Sequence, residues 1–335
     1  MTTEAIQSAG WLREELCARN RMYARGRAHA ESYGTPPVVV YAPEEGRHGN
    51  FEDAAYAAMM LRPEWMRRFD KVHTGARQLP KAERKWRELD SCMSSDALLM
   101  NVFCHPATLG RVEVRGMLGV AAEGEPEFGW RARVALTNRR VDRTEVDLRL
   151  GDLLVEAKLT EADFQVREAR VVEAYRDFDE VFDRERLPRV EMRKARRRAA
   201  VEFPEAFGQE WEAAAEDDAA ARAFQAEISA RAWEEAPAEP GYAGYQLIRN
   251  VLAAHAAGSR FCVLHDARRP ELREMWFAVM AAVRTAELRM RLTVLTWQEL
   301  AAALSEDMQE FLDVKYGIVR PGARAGAVQG LEEPE

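Results

Sequence analysis

The chain has 335 residues, 47% of them hydrophobic, and a formal net charge of −8 from 48 Lys and Arg against 56 Asp and Glu. That length suits one large domain or two modest ones with a sizeable core, and the acidic balance excludes a protein that merely coats nucleic acid, because phosphate binding is driven by Lys and Arg. No run approaches the roughly 18 consecutive apolar residues of a membrane span, and the charged start MTTEAIQSAGWLREELCARN lacks the apolar stretch of a signal peptide, so a cytoplasmic protein is expected. Four cysteines, Cys17, Cys92, Cys104 and Cys262, form no CxxC pair, which argues against a zinc cluster or a disulfide framework and for reduced, mostly buried thiols.

Residues 1–90 read as a mainly helical N-terminal extension, interrupted by the strand-like run 37–41 (PVVVY) and a Gly/His-rich turn at 46–50. At 94–103 (SSDALLMNVF) a serine N-cap opens an apolar helix. Alternation then predicts strands in 110–121 (GRVEVRGMLGVA) and 129–137 (GWRARVALT), separated by a turn-prone EGEPEFG. The run 144–159, TEVDLRLGDLLVEAKL, reads as a hairpin turning at Gly151-Asp152. Composition predicts charged helix over 161–198, and Ala/Glu-rich helix from 204 to 233, ahead of a linker at 237–241 (PAEPG). Beyond it, Tyr245–Ala257 and 270–286 read as helices, and Arg260–His265 (RFCVLH) and Leu292–Thr296 (LTVLT) as strands. Strands separated by a helix imply parallel or mixed pairing. Basic residues gather at 62–87 and 189–198, whereas 202–239 is strongly acidic, the usual pattern of solvated helix faces but also compatible with one local basic surface.

The hairpin carries the chemistry. A two-residue turn pairs Leu150 with Leu153, and counting outward sets Asp147 opposite Glu156 and Glu145 opposite Lys158. Those four charged residues then share one face, with Val146, Leu148, Val155 and Ala157 on the other. Two carboxylates across a strand pair repel unless one is protonated or a cation lies between them. Carboxylates holding Mg²⁺ or Mn²⁺ suit phosphodiester hydrolysis, with Lys158 orienting or deprotonating the attacking water or stabilising developing charge. Glu-x-Lys alone is a common solvated pattern; its place at the end of an apolar strand, after a tight turn and an acidic partner, is what sets it apart.

A helix, a strand hairpin bearing Asp147 and then Glu156-x-Lys158, a further helix and further strands is an order similar to the PD-(D/E)XK nuclease superfamily. More narrowly, SSDALLMNVF, TEVDL, VEAKLTEADF, YQLIRN, RFCVLH and LTVLTWQEL resemble a bacterial branch of it, over about residues 94–300. The resemblance implies an α/β fold with a central mixed β-sheet flanked by helices, a core over 91–315 with a helical insertion at about 161–240, and a flexible tail at 316–335. It implies Asp147 and Glu156 as metal ligands and Lys158 as the catalytic lysine, although no proline precedes Asp147. Asp96, with Glu88 behind it, is the candidate further metal contact from the first core helix, where a helix-terminal carboxylate is otherwise ordinary. Gln165, Gln246 and Arg249 are candidates to touch phosphate or support the site.

The function expected is a Mg²⁺- or Mn²⁺-dependent nuclease acting on nucleic acid, with DNA ahead of RNA, in defence, repair or mobile-element processing, working as a homodimer or under a regulatory partner. A non-catalytic nucleic-acid-binding or assembly module that keeps the fold is the alternative, and a helical interaction protein docking through the acidic segment is a third. No HxxxH pair, GxxxxGK[ST] loop or Gly-x-Ser-x-Gly elbow offers a competing chemistry.

Overall fold

The structure is a computed structural model describing residues 3–32, 37–72, 87–121, 124–192, 195–197, 233–235 and 238–322. The acidic residues 202–232, the basic residues 73–86 and the tail from 323 lie outside the described residues. Six helices matter below: α1 (Thr3–Tyr23), α2 (Asp53–Met60), α3 (Ser95–Cys104), α4 (Tyr245–Ala257), α5 (Pro270–Ala281) and α6 (Glu306–Tyr316). They surround a five-stranded sheet of β1 (Pro126–Arg131), β2 (Glu145–Leu150), β3 (Leu153–Ala157), β4 (Arg260–His265) and β5 (Leu292–Thr296). The spatial order is β5-β4-β3-β2-β1. Pairing is antiparallel for β1–β2 and β2–β3, and parallel for β3–β4 and β4–β5. The expected α/β mixed sheet flanked by helices is therefore the fold.

Burial on both faces explains the apolar run of β3, in which all five residues are buried. Leu153, Val155 and Ala157 join Cys262 and Leu264 in a core closed by Leu98, Leu99 and Val102 of α3, Leu12 and Leu16 of α1 and Leu312 of α6. Leu154 faces the other way, with Phe261 and Val263, against Leu247 and Val251 of α4 and Trp276 of α5. Each central strand is thus read twice, once by each core. The parallel crossover from β4 to β5 runs through α5, whose Pro270 occupies the first turn, where its missing N–H costs nothing. Among the described residues no helix is long and apolar enough to cross a membrane.

Two stretches depart from the sequence expectation. Residues 112–118 form a helix rather than a strand; Val114 and Leu118, one helical turn apart, are its buried pair, and Gly119 ends it at φ +64°. Helix was expected over 161–198, yet residues 166–192 build a three-stranded antiparallel sheet from Val166–Glu168, Glu239–Ala243 and Arg189–Met192, with four-residue helices between. There Tyr242, on the middle strand, packs with Phe178 and Phe182, a long-range contact that overrides the local charge pattern. The first strand-like run is real but short, Val39–Tyr41, and it joins a small hairpin with His29–Glu31.

Near the end of α6, Lys315 is fully buried. Its ammonium donates to Asn20 Oδ1 at 2.7 Å and lies 4.0 Å from the centre of the Tyr41 ring. Burial, with a smaller push from Arg27, lowers its pKa from 10.5 to about 7. Between those values the unfolded chain holds more protons than the folded one, so the cost of burying this lysine is fully present below pH 7 and disappears as pH rises toward 10.5. Lys315→Met is expected to stabilise the protein by up to about 5 kcal/mol at pH 6, with the gain shrinking steadily toward pH 10 in urea denaturation curves. A gain independent of pH would contradict a depressed lysine.

Candidate active site

The ladder between β2 and β3 pairs Leu150 with Leu153, Arg149 with Leu154 and Leu148 with Val155, and then stops. Gly151, at φ +57°, makes the turn. Continued by one step, this register would set Asp147 opposite Glu156. Instead the strands fork, and the Asp147 carboxylate accepts the Ala157 N–H at 2.8 Å, so a side chain closes the gap that a backbone carbonyl would otherwise fill. Lys158, just past the fork, is held by its backbone: its N–H donates to Leu264 O at 2.8 Å and its carbonyl accepts from Trp297 Nε1 at 3.0 Å.

The expected common face for Glu145, Asp147, Glu156 and Lys158 is not what forms. Leu148 points into the core beneath α1 and α3, whereas Val146 belongs to the core beneath α4, so the alternation of β2 breaks at Asp147. On β1 the break lies beside Gly129, at φ +65°, which is absent from the ladder although Phe128–Leu148 and Trp130–Val146 pair on either side. A Cβ on Gly129 would lie 2.1 Å from Arg68 Nη1. Glycine there allows the backbone angle and the close approach of that guanidinium. Glu145 is consequently paired with Arg68 at 3.1 Å and Arg131 at 3.5 Å, not with Lys158.

Lys158 Nζ instead donates to Glu156 Oε1 at 2.8 Å, and Asn250 Nδ2 donates to Oε2 at 2.6 Å, so both oxygens of a carboxylate only 1% exposed are engaged. Arg249 is also buried; it donates to Asn250 Oδ1 and to the Glu145 carbonyl, both at 2.9 Å, and so braces the site from behind rather than facing solvent. Asp96, in the first turn of α3, receives Lys71 at 2.5 Å and Arg68 at 3.0 Å. Ser94 caps this helix, accepting the Ala97 N–H.

A cavity of about 600 Å³ opens onto this group, and Asp96, Asp147, Lys158, Gln165, Gln246 and Glu88 all line it. Glu145, Glu156 and Arg249 do not. Gln165 is brought there by a backbone bend at φ +64°, its N–H donating to Asp163 Oδ1, and Gln246 by its place in the first turn of α4. Glu161 lies on the same wall, accepting from Ser95 Oγ and from the Leu159 N–H.

Electrostatics separate Asp147 from Asp96. Burial, reinforced by Glu156 and Asp96, pushes the Asp147 carboxyl well above the usual carboxylate range. Burial opposes ionisation of Asp96 too, but Lys71 and Arg68 outweigh it and hold its pKa below normal. Burial likewise works against the Lys158 ammonium; Glu156, Glu161 and Asp147 overcome it and raise the lysine above its ordinary value. Lys158 is a firm cation here, not a lysine poised to lose its proton. Oxygen donors gathered at one cavity, one of them driven toward its neutral form by burial and by the others, match the preference of a hard divalent cation.

A second group of potential ligands, Glu52, His105 and Asp307, lies at the opposite end of α3. His105 Nδ1 accepts the Ala107 N–H at 3.3 Å, which leaves the proton on Nε2, directed at Asp307 Oδ2 at 3.2 Å. A nitrogen bearing that proton has no lone pair for a metal, and the trio instead fastens α2, α3 and α6 together.

Asn250, Arg68, Lys71 and Glu161 are the residues that motif reading passed over. Asn250 ends the YQLIRN segment, and Arg68 and Lys71 fall within the basic stretch 62–87, but their targets are 94, 28 and 25 residues distant.

A five-stranded mixed sheet flanked by helices is the architecture of restriction-endonuclease-like proteins of the PD-(D/E)XK superfamily, and this chain has that α/β fold. It belongs to the family described as restriction endonuclease associating with ARP, whose family model matches residues 18–317. No curated protein and no solved structure matches the chain.

Asn250→Ala should strip Glu156 Oε2 of its buried donor and destabilise the protein by roughly 2–3 kcal/mol. Asn250→Asp, which sets a second carboxylate against Glu156, should cost more. Urea midpoints compared with wild type measure both, and unchanged midpoints would show that Glu156 is satisfied some other way.

Proposed function

We propose that this protein is a divalent-metal-dependent nuclease hydrolysing phosphodiester bonds in DNA, with Asp147, Glu156 and Lys158 as its catalytic residues. The observation that carries the reading is the fork itself: in a restriction-endonuclease family member, Asp147, Asp96 and Lys158 line the cavity where the strands part, with Glu156 behind them on Lys158. Asp147 and Glu156, with Asp96, would hold Mg²⁺ or Mn²⁺. A bound divalent ion lowers the pKa of its water and neutralises charge on the phosphate. Lys158, held toward its charged form by its acidic neighbours, is placed to stabilise the developing negative charge. Asn250 holds Glu156 at the orientation Lys158 requires, and Gln165 and Gln246 offer neutral amide donors to the strand entering the cavity.

The family's description, association with ARP, supports a protein partner for this chain.

Incubating the protein with plasmid, linear and single-stranded DNA and with RNA, in Mg²⁺, Mn²⁺ or EDTA, tests the proposal. Metal-dependent cleavage of DNA is expected, with Asp147→Asn, Glu156→Gln and Lys158→Ala each reducing it by about 100-fold or more. Full cleavage by Lys158→Ala would sink the mechanism, and binding of every substrate with cleavage of none would favour a non-catalytic module.

A further inference from the structure

The N-terminal extension places two cations directly on the candidate site. Arg68 and Lys71 come from a short 3₁₀ turn and its cap (Arg67–Asp70, then Lys71), and both converge on one oxygen of Asp96, Oδ2. Arg68 reaches further, to Glu145, through the space that Gly129 leaves open. Its Nε is buried and donates to nothing among the described residues. Lys71 lines the cavity, with 29% of its side chain exposed. Together with Lys158 these residues set three cations among the carboxylates Asp96, Asp147, Glu156, Glu145 and Glu161.

That grouping has a chemical consequence. A divalent ion held by Asp96 and Asp147 would set two positive charges beside Lys71 and Arg68, so the two side chains on Asp96 Oδ2 and the ion would compete for that carboxylate. Lys71, once off Asp96, stands at the cavity wall with three N–H donors lacking an acceptor, and Arg68, still held by Glu145, keeps its Nη2 and Nε donors beside it. A phosphodiester supplies negative oxygens, and a guanidinium fork with an ammonium beside it is well suited to receive them.

We propose that Arg68 and Lys71 form a phosphate clamp for the nucleic-acid strand, parked on Asp96 until a divalent ion takes that carboxylate. The proposal rests on the nuclease reading above and adds the residues that recognise the backbone. It also makes ion binding and strand binding cooperative, since the ion releases the side chains that the strand needs.

Lys71→Gln separates this from a structural role, because its two effects run in opposite directions. Calorimetric titration of the protein alone with Mn²⁺ should show the variant binding the ion about threefold or more tightly, a competing cation having gone. Fluorescence anisotropy with a labelled oligonucleotide, single-stranded and duplex, should show binding about tenfold weaker than wild type in Ca²⁺, with the salt slope reduced by about one. Lys71→Arg, which keeps the charge, should leave both affinities near wild type. Arg68→Gln should repeat the Lys71→Gln pattern and serves in its place should that variant melt early. If wild type binds Mn²⁺ and cleaves but Lys71→Gln alters neither affinity, or lowers both, the clamp is wrong and the nuclease stands. If wild type binds no ion and cleaves nothing, both fall.

Discussion

The carboxylates of Asp96, Asp147 and Glu156 are held together where the sheet forks, Asp96 and Glu156 buried and Asp147 half-buried on the cavity wall, and most of the surrounding architecture answers that constraint. Like charges in a low dielectric repel strongly, so each must be neutralised, hydrogen-bonded or protonated. Glu156 is met by Lys158 and Asn250, Asp96 by Lys71 and Arg68, and Asp147 by the Ala157 N–H while its acidity falls. The partners arrive from β3, from α4 and from the turn before α3. Loss of any one leaves a carboxylate with less than its full set of partners, which is why elements so distant in sequence are tied to one point.

The sheet meets this demand by ceasing to be regular. A strict two-residue alternation would have put Glu145 and Asp147 on one face; the break at Asp147, beside Gly129, lets the Asp147 carboxylate reach the neighbouring strand and turns Val146 to the opposite core. Bulges and breaks of this kind are found where a side chain must be aimed. The bracing is polar on one side, through Arg249 and Asn250, and apolar on the other, through the packing of β3 between the two cores.

Much of this could be read from local pattern. The turn at Gly151-Asp152 sets the hairpin register, Ser94 marks the start of α3, and the apolar runs at Arg260–His265 and Leu292–Thr296 are strands with those bounds. Failures fall where local pattern and long-range contact disagree. Valines at 112 and 114 suggest a strand, but burial one helical turn apart at Val114 and Leu118 makes a helix. Charge in 161–192 suggests helix, but Tyr242, reached only through the fold, recruits the segment into a sheet. Register counting placed Lys158 beside Glu145 because it could not see Arg68, 77 residues earlier, arrive to take that carboxylate.

The backbone of Lys158 is fastened on both sides by residues that come much later in the chain, Leu264 through its N–H and Trp297 through its carbonyl. Non-local contacts of this span form late, after the intervening chain has been made. During synthesis from the N-terminus, the Glu156-x-Lys158 triplet emerges more than a hundred residues before the tryptophan that holds it. The lysine therefore reaches its place only in a nearly finished chain, and the order of translation itself delays assembly of the site.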